Sequence, residues 1–420
     1  MHVHGDVSNP LPGLYYCTYT MQVRLSTGTA MNTGFRLRDF DISEETGFVP
    51  PSPPLACLPE YFAPWEVLAR NLPALIREKS IRQAVHELPP LQFSKETLTS
   101  EREWQRAYVL LTFLAQAYMW VYGERGLPDR VPQILAVPLC TVADRLGVPP
   151  MLCYPASVLH NWGVRDLKGA LDSSNLHALT TFTGSSDESW FYTTHVRVEI
   201  AAVPGLKGVA QACSLMATGQ NTLLCECLSD VQKSLEGMRK ALKTMYEHCN
   251  PTTYFVQVRQ FQAGLNGLNI PSQGILYEGV DSKPRKYHGT SAAQSAAVQT
   301  FDIFLGAEHT GNDAKFLEVM RGYMLPRHRD FLKVLTMLPM SVRQYVTHSK
   351  DHELVMSYNA AVEALADFRS EHIILATRYI LMQKSYSVNA SLDAKGTGGT
   401  DFIHFLKNVR DDTLALKVSQ

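Results

Sequence analysis

The chain has almost no excess charge. Lys+Arg 39 stand against Asp+Glu 40 over 420 residues, so it lacks the basic field that nucleic acid or an anionic membrane surface selects. At the N-terminus no basic stretch leads into an apolar run, so a secretory signal is not expected. A long hydrophobic run is also missing. The most apolar window, Ala107 to Gly123, holds Gln116, three tyrosines and Trp120, and reads as a buried helix, not a membrane span. The eight cysteines are scattered, with Cys225-Glu-Cys227 the single close pair, which suggests neither a disulfide framework nor a zinc site. A soluble, cytoplasmic protein with reduced thiols is expected. There is no phosphate loop, nucleophile elbow or His-Glu-x-x-His motif. Strand-like alternation is nearly absent as well, and the expected class is all-α.

What is present supports a large core, with 45% hydrophobic and 10% aromatic residues. Residues 1–40 mix Gly, Ser, Thr, Asn and Pro and read as a flexible extension. Residues 41–184 read as a small helical domain and linker. They carry helical stretches over Tyr61–Glu78 and Arg102–Tyr122, then a proline-punctuated, loop-rich region from Pro128 to Pro150 with short helices. Residues 185–420 read as a larger helical domain. Phe191 is expected to begin a helix that stops near Pro204, and further helices are expected over Asp230–His248, Thr253–Ala263 and Lys315–Tyr323.

The clearest periodic element is Glu353 to Gln383. Leu354, Tyr358, Ala361, Leu365, Phe368, His372, Leu375, Tyr379 and Met382 recur at steps of four and three, the seam of a long amphipathic helix. His372 breaks the apolar seam. A buried imidazole must satisfy both ring nitrogens or stay neutral. It is either a core histidine bonded to a carbonyl or an axial ligand to a metal or haem. His195 lies on a helix otherwise heading into the core, where a lone histidine is usually structural. Arg259, among apolar neighbours, could clamp a carboxylate, although such arginines are more often ion-paired at a surface. Gly396-Thr-Gly-Gly399 lacks the residues of a phosphate loop, and its glycines suit a mobile loop closing over a small ligand.

Taken in order, several segments resemble the indoleamine 2,3-dioxygenase family of haem enzymes. They include Asp41-Ile-Ser-Glu-Glu-Thr-Gly-Phe48, Tyr154-Pro-Ala-Ser-Val-Leu-His-Asn-Trp162, Val198-Glu-Ile-Ala-Ala202, and Asn250-Pro251 through Arg259. The series continues through Tyr277-Glu-Gly279, Ser291-Ala-Ala-Gln-Ser295, Phe301-Asp302, Arg369-Ser-Glu-His372, Thr377-Arg-Tyr379 and Lys395-Gly-Thr-Gly-Gly-Thr400. Each alone is weak, but the ordered set is highly specific. The resemblance implies a small helical domain over a larger one that holds haem b, with His372 as the proximal iron ligand. It places Arg369 and Asp302 on the haem-propionate side, and Tyr154, Ser157, Val158 and Phe191 on the pocket wall. Arg259 would receive the substrate carboxylate, Thr397 would close over the amino-acid backbone, and Ser291 and Ala292 would lie along the substrate edge.

Three departures from the family pattern stand out. Tyr254 occupies a pocket position usually held by Phe, and its added hydroxyl needs a partner if buried. Thr290 replaces the second glycine of a Gly-Gly-Ser. His195 falls on the distal site, where the family usually carries Ser or Thr, whereas the related tryptophan 2,3-dioxygenases place a histidine there against the indole N–H. Some molluscan myoglobins also resemble this family and only store oxygen. The expected reaction is insertion of O2 across the indole C2–C3 bond of L-tryptophan to give N-formylkynurenine, with a reductant for the haem as further partner. The alternative is a non-catalytic O2-binding haem protein.

Overall fold

The structure, a computed structural model, describes residues 35–94, 96–265, 274–386, 396–397 and 401–419. The fold is all-α. Among the described residues, strands are limited to a parallel pair, Arg130–Val131 with Leu276–Tyr277, and an antiparallel pair, Trp162–Val164 with Leu176–Ala178. Helices assemble around two main cores. One is built on Glu101–Trp120, a helix buried on every side from Arg106 onward and started by a Ser100–Glu103 capping box. The other is built on Asn221–Lys243 and on His352–Tyr379, the helix that carries His372. A smaller cluster of Val49, Tyr154, Val158, Leu159, Trp162, Leu176 and Val196 lies apart from both.

The His372 helix is capped by Asp351, whose side chain accepts from Leu354 N, and its seam is buried at Leu354, Tyr358, Ala361, Leu365, Phe368, Leu375 and Tyr379. Met382 is 68% exposed, because the α-helix gives way to a 3-10 turn over Leu381–Tyr386. The helix carrying His195 runs from Ser186 to Ala201, so Phe191 sits inside it and does not begin it. Its N-cap is Ser185, just past the expected boundary at residue 184, accepting from Glu188 N. Past Pro204 the chain does not stop but restarts as Val203–Thr218, since proline fits the first turn of a helix. Together Ser186–Thr218 is long and apolar enough to cross a membrane by length and composition. The two helices pack against Asn221–Lys243.

Other expectations shift similarly. Within the region expected to be loop-rich with short helices, Gln133–Leu146 is one helix of 14 residues, although Pro138 lies inside it. Burial of Leu135, Leu139, Val142 and Leu146 offsets the roughly 3 kcal/mol that an internal proline costs. The stretch Thr253–Ala263 is not a regular helix but α, π and 3-10 in succession: Pro251–Thr253, Tyr254–Val258 and Arg259–Gln262. Of the expected extension, residues 1–34 lie outside the described residues. Its end is packed: Leu37 is buried, and Phe35 and Phe40 meet the Phe331 ring edge-on at 5.6 and 5.4 Å. We propose the division near residue 184 as one of chain path more than packing, because the first core also takes in Phe316, Met320, Phe402 and Phe405.

Candidate active site

Two imidazoles face each other's charge inside the larger half. Solvent-sized contact still reaches part of His195 and His372, although protein surrounds each on every side. Each keeps a small accessible face within the packed interior. Burial pushes His372 down to about 4, helped by the charge that His195 would carry and by Arg369. The ring is therefore neutral at neutral pH, and none of its hydrogen-bonding capacity is spent on a described residue. Among the described residues no three His, Cys, Asp or Glu side chains converge to hold a bare metal ion. A single neutral imidazole with no described hydrogen-bond partner keeps a nitrogen lone pair free for a ligand.

His195 differs. Its Nδ1 lies 2.8 Å from the carbonyl oxygen of Phe191, one turn back on the same helix. A carbonyl can only accept, so the proton sits on Nδ1 and Nε2 keeps its lone pair. Burial lowers this histidine below its ordinary value, partly opposed by the Phe191 bond. His195 is thus a neutral acceptor.

Around it stands an aromatic wall. Phe191 lies 4.7 Å from the His195 ring and stacks on Tyr254 at 4.5 Å and 25°. Tyr154 approaches His195 edge-on at 6.3 Å, and Tyr254 meets Tyr379 of the His372 helix at 5.9 Å. Two wall segments are π turns, a rare geometry that favours functional sites. In one, Pro155–Leu159 carries the buried Ser157 and Val158. In the other, Arg259 N donates to the carbonyl of Tyr254 five residues back. That wider turn sets Arg259 and Tyr254 on similar sides of the backbone. Arg259 is 2% exposed, and its guanidinium lies 5.4 Å from the Phe255 ring. Tyr254 is buried, and its hydroxyl finds the partner that burial requires, donating to Gln262 Oε1 at 2.8 Å.

The small-residue loop closes a further side. Thr397 Oγ1 donates to Thr290 O at 2.6 Å, and Gly289 N donates to Thr397 O at 3.2 Å. A Cβ on Gly289 would come within 2.3 Å of Gln262 O and 2.6 Å of Thr397 O, so these strands of backbone meet only where glycine stands. Thr290, despite replacing a glycine, is accommodated with its hydroxyl donating to Leu152 O at 3.1 Å. Ser291 accepts from Ala293 N and starts the 3-10 turn Ala292–Gln294. Lys395 and Gly398 to Thr400 of the glycine loop lie outside the described residues.

Arg369, one turn before His372, pairs with Asp302 at 2.5 Å and with the Thr413 hydroxyl. His309 joins them, 3.8 Å from Asp302 and 2.8 Å from Asp412. The paired carboxylates raise His309, and the cationic neighbours hold Asp302 low despite its burial.

The structure thus links His195, Phe191, Tyr154 and Tyr254 by ring contact, and Thr397 with the 289–291 loop by hydrogen bonds. Ser157 turns its hydroxyl to Cys153 O at 3.2 Å. Sequence reasoning passed over Gln262, Gln294, Ser295, His309 and Glu199. Glu199 lies within Val198-Glu-Ile-Ala-Ala202, and Gln294 and Ser295 within Ser291-Ala-Ala-Gln-Ser295, so the resemblance covered these three without giving them a role.

Several known proteins are similar to the chain along most of its length. Residues 36–416 match the family model described as Indoleamine 2,3-dioxygenase. The chain is 37% identical to an indoleamine 2,3-dioxygenase 2 of Mus musculus, over 94% of this chain and 96% of that protein. It is 33% identical to a 6-hydroxytryptophan 2,3-dioxygenase of Fusarium equiseti, over 90% of this chain and 97% of that protein. A myoglobin of Haliotis diversicolor is also 33% identical, over 90% and 98%. With the match running almost end to end, the chain belongs to the indoleamine 2,3-dioxygenase family.

Proposed function

We propose that His372 holds haem b beside His195, and that the surrounding wall holds L-tryptophan for insertion of O2 across its indole C2–C3 bond, giving N-formylkynurenine. The dioxygenase activity, an oxidoreductase one, goes with the family; the roles of this chain's own residues are the substance of the proposal. Haem, when bound, supplies the redox chemistry with O2, and a reductant for it is a further partner.

The residues divide the remaining work. The buried Arg259 presents a planar fork of donors suited to the substrate carboxylate. Phe191, stacked on Tyr254, offers a flat apolar surface for the indole. Tyr154, Ser157 and Val158 form the wall beside His195, while Ser291, Ala292 and Thr397 line the amino-acid end. Arg369 and Asp302 hold the edge of the haem site. The described cysteines are all free, which suits the reducing cytoplasm as its location.

The observation that carries the reading is the 2.8 Å contact from His195 Nδ1 to Phe191 O. It leaves Nε2 as an acceptor, which matches an indole N–H. Holding O2 by a hydrogen bond asks the opposite, a ring that donates from Nε2, and for this ring that means an imidazolium disfavoured by burial. The geometry therefore favours the enzyme over an oxygen store. Reducing the purified protein anaerobically, then adding tryptophan and air, should give the absorbance of N-formylkynurenine. Reversible O2 binding with no product would favour the store.

A further inference from the structure

Glu199 lies one helical turn beyond His195 and is 1% exposed. Its Oε1 is the common partner of two hydroxyls, Tyr154 at 2.9 Å and Ser295 at 2.6 Å. Its Oε2 has no partner, and no described cation pairs with the carboxyl. The void beside it, lined by Phe48, Leu159, Met324 and His328, is too tight for water-sized contact. A carboxylate in such a place would be a buried, uncompensated charge, a costly state that carboxyl groups avoid by binding a proton. Burial accordingly raises Glu199 above the ordinary glutamate value.

What Glu199 joins is as telling as its charge state. Tyr154 belongs to the wall segment that precedes the first π turn, and its backbone N donates to Gln294 Oε1 at 2.9 Å. Gln294 Nε2 in turn donates to Gly289 O at 2.9 Å. Ser295 ends the loop that begins at Ser291. One carboxyl therefore ties the wall, the His195 helix and the substrate-edge loop at a single atom.

We propose that Glu199, as a neutral carboxylic acid, is a positioning residue for the dioxygenase pocket, fixing Tyr154 and the 291–295 loop against the His195 helix. It acts through Tyr154 and Ser295 and touches neither substrate nor haem. As an acid it keeps this side of the pocket uncharged, which suits an indole ring. The inference rests on the tryptophan-pocket reading above.

Two measurements test it on the haem-loaded protein. The infrared difference between wild type and Glu199→Gln at neutral pH should contain a carboxylic-acid C=O band, shifted in D2O and belonging to wild type. The subtraction removes Glu188, another buried glutamate raised by burial. In tryptophan titrations read by the haem absorbance, Glu199→Ala strands two buried hydroxyls and should weaken binding by about tenfold or more. Glu199→Gln, still able to accept from both hydroxyls, should recover most of that loss. Tyr154→Phe should add little in the Glu199→Ala background. Absence of the acid band, a Gln variant as impaired as Ala, or strictly additive losses would each overturn the proposal. A wild type that binds tryptophan without forming product would overturn the dioxygenase reading alone and leave these outcomes to decide the role of Glu199.

Discussion

His372 and His195 are both enclosed imidazoles, close enough for the charge of one to act on the other, yet the protein treats them oppositely. His195 is tied at Nδ1 to a carbonyl of its own helix, and this fixes which nitrogen accepts. His372 is given no hydrogen bond by its described neighbours, only burial and neighbouring positive charge that keep it neutral. A buried imidazole left this way carries an unmet desolvation cost, and a metal bond meets it. One histidine is finished by the fold, and the other is the one we propose to hold haem.

The most severe way to break this contrast is His372→Ala. No second imidazole lies on that helix seam, so the variant should lose haem or hold it weakly. Full haem occupancy with an unchanged ferrous-CO spectrum would refute the assignment. Next comes Arg259→Ala, which leaves both histidines in place and removes the carboxylate clamp. A charge-assisted bond of roughly 1.5–3 kcal/mol predicts a loss of about 10–150-fold in tryptophan affinity. Indoles without a carboxylate should bind almost as before; equal losses for both would make Arg259 structural.

A smaller effect sharpens the distal side. The acceptor role needs the neutral ring, so activity should be full above the pKa of His195 and fall as pH drops through it. Burial places that acid limb below the ordinary histidine value near 6.5. His195→Ser, the usual family residue, should retain substantial turnover with a weaker acid limb. An unchanged limb with normal turnover would show that His195 does not meet the substrate. The smallest effect is expected from Tyr254→Phe. It removes the hydroxyl bonded to Gln262 while keeping the stacked ring, so stability should fall by about 1 kcal/mol with tryptophan affinity nearly unchanged. A large affinity loss in a thermally normal variant would place that hydroxyl on the substrate.

The contrast also shows what a sequence can reveal. The four-three spacing that exposes His372 is a periodic property of one helix, and it stands in the structure from Leu354 to Tyr379. The ordered motifs likewise identified the family. Helix ends were harder: Pro138 and Pro204 suggested breaks, but burial tolerates the first and the second merely opens a new helix. The π turns at Pro155–Leu159 and Tyr254–Val258 have no period to read, because packing against distant segments imposes them. Glu199 escaped notice for a similar reason. Its partners lie 45 and 96 positions away, and only the assembled fold brings Tyr154 and Ser295 to one oxygen.

The helix Phe402–Leu414 has a consequence for how the chain is made. Phe402, Phe405, Leu406 and Val409 complete the core built on Glu101–Trp120, some three hundred residues earlier in the chain, while Thr413 meets Arg369. A nascent chain still inside the ribosome at this point can form its N-terminal helices but cannot seal them. The apolar face awaiting Phe402 and Phe405 stays open until those residues leave the ribosome, and such surfaces are where aggregation starts and chaperones bind. The contact of Thr413 with Arg369 and closure of the N-terminal core are therefore late events, and they share one helix.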